Sequence, residues 1–198
     1  MLIGTTSNEF STMLHTVISK PITTDAELEE ALANHRGTPE GTRAILAQYP
    51  LGSYASRQEL LTAVWSDAAI ICPTRWLTRA VAALEPGKVW RFVYAHTYAN
   101  PVLRPLGAGH GMELVLLFRN LYATLRLTPD EASLGDAFTD ALSHFVHDGS
   151  PGAGAIQWAP YDAQTDSYLE VDTPPTEKRG LRSAECDFWE RAYTHSPT

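Results

Sequence analysis

The run KVWRFVYAHTY (residues 88–98) limits the fold more than any other part of this chain. β-Branched and aromatic residues dominate it, and Val89, Arg91, Val93, Ala95 and Thr97 alternate with Trp90, Phe92, Tyr94, His96 and Tyr98, which is the pattern of a strand buried in a sheet. It stands nearly alone. One strong strand cannot make a sheet, so partners are required. Residues 1–3 are a second candidate, and any strand left without a neighbour is an exposed edge that invites association. Most of the remaining chain reads as helix, an unusual inventory for a self-sufficient α/β domain.

Helix signals are dense before this run. Thr24 and Glu27 form a capping box (TDAE) opening a helix to about Asn34, closed by Gly37. Residues 39–48 form a second helix. Ser56 and Glu59 make another capping box, followed by Leu60, Leu61, Val64, Trp65 and Ala68 at helical spacing. Pro73 begins a further helix, PTRWLTRAVAALEPG, ended by Pro86 and Gly87. After the strand, a loop containing Pro101 and Pro105 leads to a glycine-rich turn and a helix predicted through about Leu127. Thr128 and Pro129 restart a helix that Gly149 stops. Two short extended runs, residues 155–158 and 167–171, precede a terminal helix over residues 184–193. No repeat or linker divides the chain, so one domain, or part of one, is expected.

Composition excludes several classes of function. At 198 residues and 44% hydrophobic content the chain buries a real core. Its formal charge of −8, from 23 acidic against 15 basic residues, argues against nucleic-acid and anionic-membrane surfaces. No apolar run approaches the roughly 20 residues of a membrane span, and the first residues lack the features of a signal peptide. A soluble chain with no export signal of its own is therefore expected. The residues imply no cofactor. His144, His147 and Asp148 have metal-like spacing, but a solvated helix end with histidines near its carboxyl terminus accounts for them better. Cys72 and Cys186 are either two buried thiols or one disulfide closing a long loop, and spacing does not choose between these.

Two segments carry candidate chemistry. In LGAGHGMELVLLFRN (residues 106–120) a histidine, His110, sits in a glycine-rich turn ahead of an apolar amphipathic stretch. In LIGTTSNEF (residues 2–10) Glu9 lies on a turn just after a short apolar run. Acyl transfer needs a nucleophile, a base, a carboxylate to orient that base, and donors for the oxyanion. Glu9 followed by His110, each after a strand candidate, fits the acid-then-histidine order of α/β hydrolases. Taken singly, His110 reads as a structural histidine and Glu9 as a solvated turn acid. A serine in a GxSxG elbow occurs nowhere in the 198 residues. Ser53 in LGSYAS and Ser150 in DGSPG are the serines nearest glycine, and neither follows a strand or opens a helix as an elbow does.

Over nearly its whole length the sequence resembles the carboxyl-terminal part of the type B carboxylesterase and cholinesterase family. LIGTTSNEF is similar to the family's strand and turn bearing the triad glutamate, and LGAGHGMELVLLF to its catalytic histidine loop. DAAIICPTRWLTRAVAA and KVWRFVYAHTY resemble the helix and strand between them. HFVHDGSPGAGAIQWAPYD and AECDFWE resemble its late helix with a Gly/Pro turn and its final cysteine and tryptophan motif.

The resemblance implies Glu9 as triad acid, His110 as base and Glu113 as a supporting acid. It also implies a Cys72–Cys186 disulfide and, if that bond forms, a secreted or periplasmic destination; otherwise the destination is cytoplasmic, as for many bacterial members of the family. The implied fold is α/β: the carboxyl-terminal portion of an α/β hydrolase, helix-rich, with a few strands of the central sheet. Residues 1–198 are then a single partial domain whose amino-terminal half, carrying the elbow and oxyanion loop, lies outside this sequence. The implied substrate is a small-molecule carboxylic ester in the intact enzyme, the missing half is a possible partner, and the chain alone is expected to be inactive. A catalytically silent, cholinesterase-like interaction module is the rival, and the retained Glu9 and His110 argue against it.

Overall fold

The computed structural model describes residues 1–17, 20–36, 38–119, 126–152 and 154–194. Four strands form one sheet in the order β1 (Leu2–Thr6), β2 (Trp90–Tyr94), β3 (Ser167–Val171) and β4 (Thr176–Arg179). β2 runs parallel to both β1 and β3, and β4 returns antiparallel to β3. The fold is helix-rich α/β, as the sequence implied. The lone strong strand finds its partners at the amino terminus and in the run at 167–171, and β1 proves longer than residues 1–3.

Side chains explain the register. Gly4 lies beside Phe92, and a Cβ added at Gly4 would stand 2.1 Å from the Phe92 ring, so only glycine admits the aromatic there. β2 is shorter than the 88–98 run because β3 stops at Val171: Ala95 donates to the Val171 carbonyl at 3.1 Å, and no ladder partner follows. β4 is absent from the sequence reading, since TEKR is exposed at every position and has no apolar alternation. It forms as the return arm of a hairpin, with Lys178 paired to Glu170 at 2.6 Å.

Eight α-helices surround the sheet among the described residues. They are α1 (Phe10–Val17), α2 (Asp25–Arg36), α3 (Pro39–Gln48), α4 (Arg57–Ser66), α5 (Cys72–Leu84), α6 (Glu113–Leu117), α7 (Pro129–Asp148) and α8 (Ser183–Thr194). The Thr24–Glu27 box forms in both directions, whereas Ser56 accepts from Glu59 N–H while the Glu59 carboxylate turns to Ala55 N–H; Thr128, expected only to restart a helix, makes a full capping box with Glu131. Gly37, the expected stop of α2, lies outside the described residues. α1 carried no sequence signal of its own.

A π-turn, Asp67–Ile71, joins α4 to α5 end to end. Pro73 has no N–H to donate and its ring crowds the preceding turn. The Cys72 N–H reaches back five residues to the Asp67 carbonyl, widening the helix locally.

Two expectations fail. The helix after His110 stops at Leu117 rather than Leu127; residues 126–128 are not helical, and 120–125 lie outside the described residues. Phe118 leaves helical geometry at φ −118°. Arg119 is drawn instead to α7, where it bonds the Ala132 carbonyl and Asp136, and Gly135 lets α7 approach the Leu116 carbonyl. Residues 155–158 are not a strand. Side chains rather than a ladder pin them: Trp158 Nε1 donates to the Arg91 carbonyl at 3.2 Å and its ring meets Phe92 and Phe138.

The apolar core has two parts. One, around Tyr94, Leu116, Phe138 and Val171, fills the space between sheet, α6 and α7. The other, around Leu32, Ile45, Leu60, Val64 and Trp189, is helical. The Cys72–Cys186 disulfide ties α5 to α8 inside the second. A buried ion cluster links the parts: Asp166 accepts from Arg75 at 2.9 Å, Arg91 at 2.9 Å and the Tyr161 hydroxyl at 2.7 Å. Among the described residues no helix is long and apolar enough to cross a membrane.

The disulfide closes a loop across a separation of 114 residues. Replacing both cysteines by serine is expected to lower stability by about 4 to 5 kcal/mol, on the chain-entropy account. Urea denaturation of the double variant measures this.

Asp67, fully buried, accepts from the Tyr49 hydroxyl at 2.9 Å. Burial raises its pKa from 3.8 to about 6, with Arg182 and the Tyr49 hydrogen bond opposing and Glu185 adding slightly. Between those values the folded chain keeps a proton that the unfolded chain has released, so stability falls as pH rises through that window. Asp67→Asn keeps an acceptor for Tyr49 and does not titrate. Denaturant midpoints of the two proteins should diverge in the variant's favour between about pH 4 and pH 7; a difference independent of pH would exclude this.

Candidate active site

Parallel strands bring their carboxyl-terminal ends to one side of a sheet, where the following turns meet. The turn after β1 holds Glu9, and the loop that leaves β2 reaches His110. Three backbone hydrogen bonds sew them together: Ser7 N–H to the Tyr94 carbonyl at 2.8 Å, Asn8 N–H to Ala108 at 3.1 Å, and His110 N–H to Glu9 at 3.2 Å.

The side chains meet on this frame. His110 Nδ1 lies 2.7 Å from Glu9 Oε2, while the other carboxylate oxygen accepts the Thr6 N–H at 2.6 Å. A carboxylate is acceptor-only, so Nδ1 is the donor in this contact; in the neutral ring that leaves the lone pair on Nε2. Burial divides the pair sharply, with the Glu9 side chain 3% exposed and that of His110 57% exposed. A buried carboxylate thus faces an accessible imidazole, an arrangement from which the ring could exchange a proton with an incoming group.

Close packing against α1 holds the histidine loop. Ser11 Oγ donates to the Leu106 carbonyl at 2.7 Å, and Thr12 Oγ1 to that of His110 at 3.3 Å. A Cβ on Gly109 would lie 2.3 Å from Ser11 Oγ and 3.0 Å from the Thr12 backbone nitrogen, so glycine is needed for the approach. Gly111 takes φ +81°, turning the chain into α6.

Glu113, first residue of α6, is half-buried, and its Oε2 has no hydrogen-bond partner among the described residues. Burial raises its pKa; the nearby charge of Glu9 adds to this and that of His110 opposes it. The structure thus brings Glu9, His110 and Glu113 together.

Other candidates lie apart. Ser53 is exposed in a short 3-10 turn, and Ser150 accepts from Gly152 N–H in the turn after α7. His144 pairs only loosely with Asp148, at 3.4 Å, and His147 is exposed; no cluster of three potential metal ligands occurs among the described residues. Sequence reading missed His96, whose ring nitrogens face Asp172 at 2.8 Å and Glu131 at 3.3 Å. It missed Ser66 too, whose hydroxyl accepts the Phe10 N–H at 3.0 Å. A strand position and a helix terminus gave neither residue a distinguishing signal.

The carboxylesterase family pattern matches residues 1–189, and the chain belongs to that family. It is similar to acylcarnitine hydrolase of Mus musculus, 22% identical over 95% of this chain and 36% of the relative. Acylcarnitine hydrolase of Rattus norvegicus is 22% identical over 83% of this chain and 30% of its own length. Thyroglobulin of Sus scrofa is 27% identical over 83% of this chain and 7% of its own. The chain therefore spans about a third of the two hydrolases it matches.

Gly109→Ala is expected to push the histidine loop off α1, costing about 1 to 3 kcal/mol as overpacking does. The local signature is faster amide hydrogen exchange at His110, whose N–H now bonds Glu9. Unchanged exchange would show that the approach tolerates a methyl.

Proposed function

We propose that this chain carries the acid and base of a serine carboxylesterase. The observation that supports it is the Glu9–His110 contact at 2.7 Å, between a buried carboxylate and an exposed imidazole. On this reading residues 1–198 are one partial α/β-hydrolase domain. The serine and oxyanion donors belong to polypeptide outside it, a partner that seats beside the outer edge of β1, whose other edge pairs with β2.

His110 Nε2 takes the serine proton as the hydroxyl attacks the ester carbonyl, and Glu9 stabilises the imidazolium. The proton passes to the departing alcohol, leaving an acyl-enzyme. Nε2 then deprotonates water for hydrolysis. Glu113 supports the pair as a neighbouring acid. The substrate class is a small-molecule carboxylic ester, in keeping with the names of the mouse and rat relatives. A silent interaction module has no use for an orienting carboxylate buried behind an exposed histidine. The Cys72–Cys186 bond fits an oxidising compartment.

A fluorophosphonate probe tests the reading. The chain alone should show no labelled serine. The longer protein carrying a GxSxG serine should label there, and His110→Ala and Glu9→Gln should each lower kcat by roughly 10⁴-fold. A serine within the 198 residues that labels only when His110 is present would overturn the divided triad. Ester cleavage indifferent to both substitutions would overturn the roles assigned to Glu9 and His110.

A further inference from the structure

We propose that Ser66 is a positioning residue for Glu9: its hydroxyl caps, from another helix, the segment that begins one residue after the acid. This rests on the reading of Glu9 and His110 as an acid–base pair.

The first N–H groups of a helix have no intrahelical acceptor, and the residue before the helix usually supplies one from its side chain. α1 starts at Phe10, so Glu9 stands at the cap position, from which a side chain reaches the second or third N–H of the helix but not the first, that of Phe10. The Glu9 carboxylate is in any case engaged elsewhere. One carboxylate oxygen is committed to Thr6 N–H and the other to His110 Nδ1. An acid that turned to cap its own helix would release the histidine.

Ser66 supplies that first N–H with an acceptor from outside the helix. Its Oγ accepts the Phe10 N–H at 3.0 Å, fixing the backbone directly after Glu9 while the Glu9 carboxylate faces the loop. The adjoining residues reinforce the contact, as the Phe10 ring meets Trp65 edge-on at 5.7 Å. The turn bearing Glu9 is thereby held at both ends: Ser7 N–H bonds the Tyr94 carbonyl at its start, and Phe10 N–H bonds Ser66 at its finish.

Ser66 is itself firmly placed. It is 1% exposed and ends α4, directly before the π-turn. The next residue, Asp67, accepts from the Tyr49 hydroxyl at 2.9 Å, and that hydroxyl accepts from Trp189 Nε1 of α8 at 2.8 Å. The Cys72 N–H closes the π-turn onto the Asp67 carbonyl, and Cys72 is bonded to Cys186 of α8. α8 thus bears on the acid through the π-turn. Ser66 touches no reacting atom; it acts through Glu9.

The test uses the 198-residue chain and the low-field proton resonance of His110 Nδ1–H, assigned by its loss in His110→Ala. Ser66→Ala should move this resonance upfield and broaden it by exchange with water. Ser66→Cys, close in shape but a weaker acceptor, should shift it part of the way, and stands in if the alanine variant does not fold. Thr78→Ala is the control: it removes another buried hydroxyl, bonded to the Thr74 carbonyl on α5, and should leave the resonance unchanged. A resonance unmoved in the Ser66 variants, with Tm lowered as in the control, would make Ser66 merely structural and overturn the proposal.

In the longer serine-bearing protein Ser66→Ala should lower kcat about tenfold, equivalent to roughly 1.4 kcal/mol, with KM unchanged. An unchanged kcat there, while Glu9→Gln abolishes activity, defeats the role of Ser66 alone. Indifference to Glu9→Gln defeats the acid–base reading itself.

Discussion

The ladder between β1 and β2 carries both halves of the site. Leu2 lies beside Trp90 and Thr6 beside Tyr94, in parallel, so the chain leaves both strands at the same end of the sheet. An antiparallel pairing would put the Glu9 turn and the His110 loop at opposite ends. The two residues are 101 positions apart in sequence, and the ladder is the rigid part of the frame that holds them. Gly4 makes the ladder possible by giving its space to the Phe92 ring. That ring in turn packs edge-on against Phe138 at 5.1 Å, joining the sheet to α7.

Burial then separates the roles of similar residues. Glu9 has exchanged water for two N–H donors, so its charge is compensated inside the fold. His110 keeps its far side open. His96 shows the contrary arrangement: it is buried, and both ring nitrogens face carboxylates, leaving none for an incoming group. His96 instead ties the end of β2 to Glu131, whose other oxygen accepts the Thr128 N–H at the start of α7. Two histidine–carboxylate clusters in one small sheet thus serve different ends, and solvent access distinguishes them.

Much of this was legible because its causes are local. The capping box of α2, the Ser56 cap of α4, the Thr128–Pro129 start of α7, the alternation through β2 and the glycine after α7 are written within a few residues of where they act. β4 was not, because its pairing depends on β3 and its own residues are all exposed. The overrun of α6 has a related origin: LVLLF continues a helical apolar pattern, but the decision to stop lies with Arg119 and its partners on α7. Glu9 and His110 were singled out by turn position and by their order along the chain, and the family resemblance then gave each a role. Ser66 had no such help, since a serine at a helix terminus looks the same whether it meets water or a distant N–H.

On the proposed reading, the arrangement would let a triad be divided between segments of polypeptide. Orienting the imidazole is the step that needs many hydrogen bonds, and all of these lie within this chain: Thr6 and His110 to the carboxylate, and Asn8, Ser11 and Thr12 between turn and loop. On the proposed reading the remaining polypeptide has only to deliver a hydroxyl to a base already oriented, together with its own oxyanion donors. Preorganisation of this kind removes the reorganisation cost at the moment of reaction. On the same reading the outer edge of β1 would join the two parts, because a strand added there extends the same parallel frame. Its carboxyl-terminal end would then open on the side of the sheet where the His110 side chain is exposed.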